Sequence, residues 1–183
     1  MNDKVKIMDI VKLKEPKSTK VYQIKYKENN KTKIKEVVKS LDIAKILIYH
    51  KTQKAFILTR QFRALVYINH PQSAIRYELC GGRADKNIPI EEIAKEEVLE
   101  EVGYKIDKLE KITTLTTTSK MHLFYTEVDE NNKISSGGGI DDENIDVIYI
   151  PIEKAKEFMF DESKPKRPAL MFCFCWWFHM KEK

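Results

Sequence analysis

A chain of 183 residues with 42% hydrophobic and 33% charged residues is long enough to bury a sizeable core and too apolar for a disordered segment. Its formal charge of +5 is concentrated, since residues 1–40 hold twelve Lys against five acids and the remainder is slightly acidic. Lysines scattered along strand faces solubilise a surface, so this surplus does not mark a nucleic-acid partner. Residues 1–20 contain no apolar run of signal length, and the longest apolar stretch, residues 169–178, falls far short of the roughly 20 residues that a membrane span needs.

In chain order, residues 21–27 alternate, with Tyr22, Ile24 and Tyr26 on one side and Gln23, Lys25 and Lys27 on the other. Glu28-Asn29-Asn30-Lys31 turns the chain and residues 33–38 return, which is a β-hairpin. This places an antiparallel β region within residues 1–45, ahead of a main domain over residues 46–183. Residues 41–50 and 55–62 are two richer strands. Arg60-Gln61-Phe62-Arg63 closes the second of them, and paired guanidiniums of this kind grip a diphosphate bidentately, although a solvated strand end has the same pattern.

The most informative stretch is residues 81–104. Ile90, Ile93, Ala94 and Val98 recur at the spacing of one helical stripe, Pro89 suits the first turn, and Gly103 is a natural stop. Glu97 and Glu101 project within that same stripe and Glu100 sits at its margin. A face that buries Ile93 and Val98 is a poor place for carboxylates, which repel and lose hydration there. Either the end of the helix emerges and they are solvated, or something cationic meets them. Hard Mg²⁺ or Mn²⁺ takes oxygen ligands, and side chains four apart on a helix converge. Gly81 and Gly82, just upstream, allow a backbone approach that a side chain would block.

Beyond the helix, residues 109–117 and 121–128 read as paired strands. Ser135-Ser136-Gly137-Gly138-Gly139 is a flexible loop that leads into Asp141-Asp142-Glu143-Asn144 and a strand over residues 145–150. An acid-tipped loop beside a carboxylate-bearing helix is what water activation requires, and a plain polar loop has the same composition. Residues 168–180 form a last helix with little polar face, in which Phe172, Phe174, Trp176 and Trp177 predict burial in the core or against a partner. Cys80, Cys173 and Cys175 are odd in number and set among apolar residues, as expected of reduced core thiols in a cytoplasmic protein, and they lack zinc-ligand spacing.

The stretch resembles the Nudix box, G-x5-E-x7-R-E-U-x-E-E-x-G-U with U a bulky apolar residue. Gly82, Glu97, Val98, Glu100, Glu101, Gly103 and Tyr104 fall on matching positions without a gap. Ile88 stands in place of the first Glu and Glu96 in place of the Arg, which removes both members of a pair that braces the loop. QFRALVY and YELCGG resemble the ADP-ribose and UDP-sugar branch of the family. The FYTEV segment, the glycine run and the aromatic last helix resemble most the UDP-glucose pyrophosphatases.

The resemblance implies an α/β fold, a Nudix α/β/α sandwich with a mixed sheet, and a homodimer contacted through the N-terminal β region. It implies Mg²⁺, with Mn²⁺ as a substitute, held by Glu97, Glu101, Glu100 and the Gly81 carbonyl. Arg63 and Glu78 would lie at the substrate, and Glu143 or Asp141 would accept the proton. The expected activity is hydrolysis of UDP-glucose to a nucleoside monophosphate and a sugar 1-phosphate. ADP-ribose and GDP-mannose are alternative substrates, and a binding module that does not cut is the alternative of a different class.

Overall fold

The computed structural model describes residues 7–10, 20–140 and 143–182. Strands β1 (Val21–Glu28) and β2 (Lys31–Val38) form the expected hairpin, a two-stranded sheet of their own, with Asn29 and Asn30 at positive φ in the turn. Strands β3 (Ile43–His50) and β4 (Ala55–Phe62) follow, then a six-residue helix α1 (Ala64–Asn69) and β5 (Ile75–Glu78). Helix α2 (Ile90–Glu97) runs without a break into a π-helical turn over Val98–Val102. Strands β6 (Glu110–Thr116), β7 (Lys120–Val128) and β8 (Asp146–Pro151), and helices α3 (Ile152–Phe160) and α4 (Pro168–Met180), complete the order.

The main sheet runs β5-β4-β3-β7-β6, with β8 on the far side of β4, and it is mixed because β3 and β7 are parallel. Alternation along the strands divides the core into two layers. Ile46, Ile48, Ile57 and Phe124 pack with Ala94, Val98 and Val102 of the helix on one face. Leu47, Phe56, Leu58 and Tyr125 pack with Phe158, Leu170, Phe174 and Trp177 on the other. The result is the expected α/β/α sandwich. Helix α4 is buried through Leu170, Cys173, Phe174 and Trp177, whereas Phe172 and Cys175 are exposed. The expectation of three core thiols is therefore corrected for Cys175, which sits on the outer side of that helix.

One irregularity positions the site. Strands β3 and β4 pair only near their hairpin, from Ile48–Ile57 to His50–Ala55, and then diverge. The segment after β5 fills the fork: Thr59 of β4 pairs with Glu78, while Ile46 of β3 bridges Cys80 and Ile43 bridges Arg83. The backbone amides of Ala44 and Ile46 donate to the Gly82 and Cys80 carbonyls at 3.0 and 2.9 Å. A stretch of chain that crosses from one strand to its neighbour needs glycine where the crossing is tightest, and Gly81 has φ of +125° there. No described helix is long and apolar enough to cross a membrane.

Candidate active site

Helix α2 carries the glutamates against this fork. Glu101 is only 6% exposed, which rules out the solvated alternative for that residue, and its Oε2 accepts from the Gly81 amide at 2.7 Å. Glu97 is half-buried, and its carboxylate lies over Gly82 so closely that a Cβ there would sit 2.0 Å from Oε1. Glu100 is also half-buried, at the margin. The continuation of the helix as a π turn at Val98–Val102 was not legible in the periodicity; such turns recur at functional sites.

Lys45 brings a positive charge near enough to act on Glu97 and Glu101. Its side chain is 5% exposed, and Nζ donates to the Leu79 carbonyl at 3.1 Å and to the Gly81 carbonyl. Beside it, Glu78 is fully buried and ion-paired to Arg63, whose Nη2 and Nε lie 2.6 and 3.2 Å from the two carboxylate oxygens, and to Arg167 at 3.2 Å. Burial pushes the Glu78 carboxyl up, but the Arg63 bond and the charges of Arg63, Lys45 and Arg167 outweigh it and hold the group below its usual range. Burial, together with the neighbouring Arg167 and Arg63 charges, lowers the pKa of Arg76. Four basic side chains, Lys45, Arg63, Arg76 and Arg167, thus converge on the place where the sequence pointed only to Arg63.

The glycine loop is fastened to the end of the glutamate helix. Gly138 and Gly139 donate their amides to the Glu101 and Glu100 carbonyls at 2.9 and 3.1 Å, partners that a helix C-terminus otherwise lacks. Gly137, Gly138 and Gly139 all have positive φ, so this path suits glycine. Glu143 follows on the surface, folded over Gly139 and near enough to Glu97 for its charge to act there. Asp141 lies outside the described residues. Glu96 is not left alone by the loss of its usual partner type, since Lys86 of the loop pairs with it. The brace between loop and helix is therefore present with its charges exchanged, as a solvent-exposed pair that contributes little to stability.

No protein-family model matches the chain. A GDP-mannose pyrophosphatase of Pectobacterium atrosepticum is 36% identical over 147 residues, covering 77% of this chain and 76% of that one. The chain belongs to the Nudix nucleotide-sugar pyrophosphatases. A GDP-mannose pyrophosphatase of Salmonella typhimurium is 35% identical over 121 residues, with 63% of each chain covered, so the match spans less than two thirds of that relative. The crystal structure of an ADP compounds hydrolase shares the Nudix fold, with a TM-score of 0.70 at 16% identity over 97% of this chain and 96% of that one.

Of the expected Nudix residues, Gly81, Glu78, Glu97, Glu101 and Arg63 gather at the fork, with Glu100 at its margin and Glu143 on the loop above. Carboxylate and carbonyl oxygens are the donors a hard divalent ion prefers, so the chemistry of the set fits Mg²⁺. Among the described residues, no three acidic, His or Cys side chains already form a metal cage. Burial, then the charges of Glu101, Glu100 and Glu143, push the Glu97 carboxyl up to about 7, against the pull of Lys45.

That shift has a sign. Between 4.5 and about 7 the metal-free folded protein keeps a proton that the unfolded chain has released, so stability falls as pH rises through this window and the loss is complete above it. Glu97→Gln, which mimics the protonated form, is expected to raise the metal-free Tm at pH 8 by about 2–4 °C, on the order of 1 kcal/mol after discounting for partial exposure. Near pH 4.5 the two proteins should melt together. Thermal scans in chelator at both pH values check this.

Proposed function

We propose that the chain hydrolyses GDP-mannose to GMP and mannose 1-phosphate with Mg²⁺ as cofactor. The observation that carries the substrate is the 36% identity to a GDP-mannose pyrophosphatase over three quarters of both chains. UDP-glucose, expected from the loop and last-helix segments, fits this relationship less well, because the relative is a GDP-mannose pyrophosphatase. A panel of GDP-mannose, UDP-glucose and ADP-ribose with Mg²⁺ is expected to give GDP-mannose a kcat/KM at least tenfold above the others. UDP-glucose or ADP-ribose in front would overturn the assignment.

In this reading Glu97, Glu100, Glu101 and the Gly81 carbonyl would hold the ion, which when bound would supply charge neutralisation of the diphosphate and a lowered pKa for water. Water adds to one phosphorus, the bond to the bridging oxygen breaks, and that oxygen leaves with one of the two monophosphates. Glu143, on the loop anchored to the glutamate helix, accepts the proton of the attacking water; Asp141 is its rival. Arg63 engages Glu78 through Nε and Nη2, which leaves its Nη1 donors for a substrate phosphate. Glu78 acts as the positioning residue that aims it. Arg63→Lys keeps the charge but loses the fork, and KM is expected to rise about tenfold with a smaller change in kcat. An unchanged KM in steady-state assays would remove Arg63 from the substrate.

The quaternary reading rests on the hairpin. Among the described residues, strands β1 and β2 pair only with each other, and Val21, Tyr22, Ile24, Ile34 and Val38 are all about half exposed. An isolated two-stranded sheet is marginal in water. A homodimer in which the partner covers this hairpin gives those side chains a place. Light scattering is expected to show twice the 21.5 kDa of one chain, and a monomer at micromolar concentration would sink the idea.

A further inference from the structure

Lys45 interrupts an otherwise apolar strand, Ile43-Ala44-Lys45-Ile46-Leu47-Ile48, and a lysine is seldom buried without a task. Its backbone neighbours are fixed, because Ala44 and Ile46 are hydrogen-bonded to Gly82 and Cys80. Its ammonium donates to the Gly81 carbonyl, and the amide of that same glycine is held by Glu101. The Gly81 carbonyl and the neighbouring carboxylates are the oxygens that would hold a divalent ion, so one set of oxygens has two possible cations.

We infer that Lys45 is a built-in counter-cation: its ammonium holds the ion's place beside the Gly81 carbonyl, and a divalent ion binds only as Lys45 withdraws from it. The inference rests on the metal reading given above and adds a residue which that reading does not require. Two cations on one carbonyl oxygen repel, while an acidic cluster with neither has its carboxylates crowded together without compensation. Because the strand is pinned, only the flexible stem can move, and the buried Glu78 carboxylate, which feels the charge of Lys45, is an acceptor toward which it can turn. The ion-free site is thereby kept from collapse or repulsion by a charge that the chain itself supplies.

The test compares Mn²⁺ binding by calorimetry in the wild-type protein and in Lys45→Gln, whose amide can still donate to the Leu79 and Gly81 carbonyls. The expected result is Mn²⁺ affinity at least tenfold tighter in the variant, with a larger rise in Tm on adding Mn²⁺. Equal or weaker affinity in the variant overturns the inference and leaves the metal reading intact. Mn²⁺ binding to neither protein overturns both. A wild-type crystal grown with Mn²⁺ provides a check that needs no variant: Lys45 Nζ is expected beyond hydrogen-bond distance of the Gly81 carbonyl. An ion bound there with that hydrogen bond intact would contradict the inference.

Discussion

Glu101→Gln is expected to reduce hydrolysis of a nucleotide sugar by about three orders of magnitude or more while leaving the protein folded. Glu101 is the most deeply buried of the three helix carboxylates, and its Oε2 accepts the Gly81 amide that shapes the fork. A glutamine retains an acceptor for that amide, so the hydrogen bond and the packing survive. What it removes is the negative charge, and a neutral amide is a poor ligand for a hard divalent ion. Burial raises the Glu101 pKa, opposed by Lys45 and the Gly81 bond, so a neutral isostere is tolerated in the metal-free state. Activity and Tm measured on the same preparation separate the two effects. Near wild-type turnover would take this helix out of the mechanism.

Gly81→Ala is expected to act in the other direction, through the fold. The residue has φ of +125°, and a Cβ would lie 2.3 Å from the Ala44 carbonyl oxygen and 2.9 Å from the Ile46 side chain. The first neighbour is backbone, fixed in the strand, so it cannot swing aside. Backbone strain of about 1–3 kcal/mol plus the clash puts the cost near 3–5 kcal/mol, or about 10 °C in Tm for a chain of this size. Gly82→Ala is the informative contrast. Its Cβ would meet the tip of Glu97, 2.0 Å from Oε1, and that tip can rotate away. Stability should then fall little while activity falls sharply, because Glu97 has been moved. Melting curves and initial rates for the pair distinguish a structural glycine from one that clears space for a carboxylate.

The hairpin was legible from its alternation, strands β3 and β4 from their apolar runs, and helix α4 from the aromatic-rich apolar stretch that follows Pro168. The glutamate helix was legible from its helical period, and its chemistry because Glu97 and Glu101 violate the period's apolar rule. Helix α3 escaped notice: Ala155, Phe158 and Met159 do follow helical spacing, but it is short and begins directly after the strand that ends at Pro151. Helix α1 buries nothing and so has no pattern to read. Lys45 and Arg167 were invisible for a different reason. Their roles depend on Leu79, Gly81 and Glu78, residues remote in sequence that meet them only where β3 and β4 separate. A lone lysine inside a buried strand was the available signal for the first of them. For Arg167, just before the proline that starts the last helix, the sequence offers none.

The exchange of charges between Lys86 and Glu96 shows why a motif position can change without loss of the interaction it serves. Glutamate on the helix and lysine on the loop attract as well as the reverse arrangement, and the glycine loop adds hydrogen bonds from Gly138 and Gly139 to the same helix end. The departures at Ile88 and Glu96 therefore leave the glutamates and the loop in place.

The central claim is that buried carboxylates on one helix hold a divalent ion that cuts a nucleotide-sugar diphosphate. Its most direct test is phosphorus NMR of GDP-mannose incubated with the purified protein, first in excess chelator and then with Mg²⁺ restored. The expected result is no change in chelator, followed by resonances of GMP and mannose 1-phosphate in equal amounts after Mg²⁺. Product formation that proceeds unaltered in chelator, or an intact diphosphate after Mg²⁺ is restored, would contradict it.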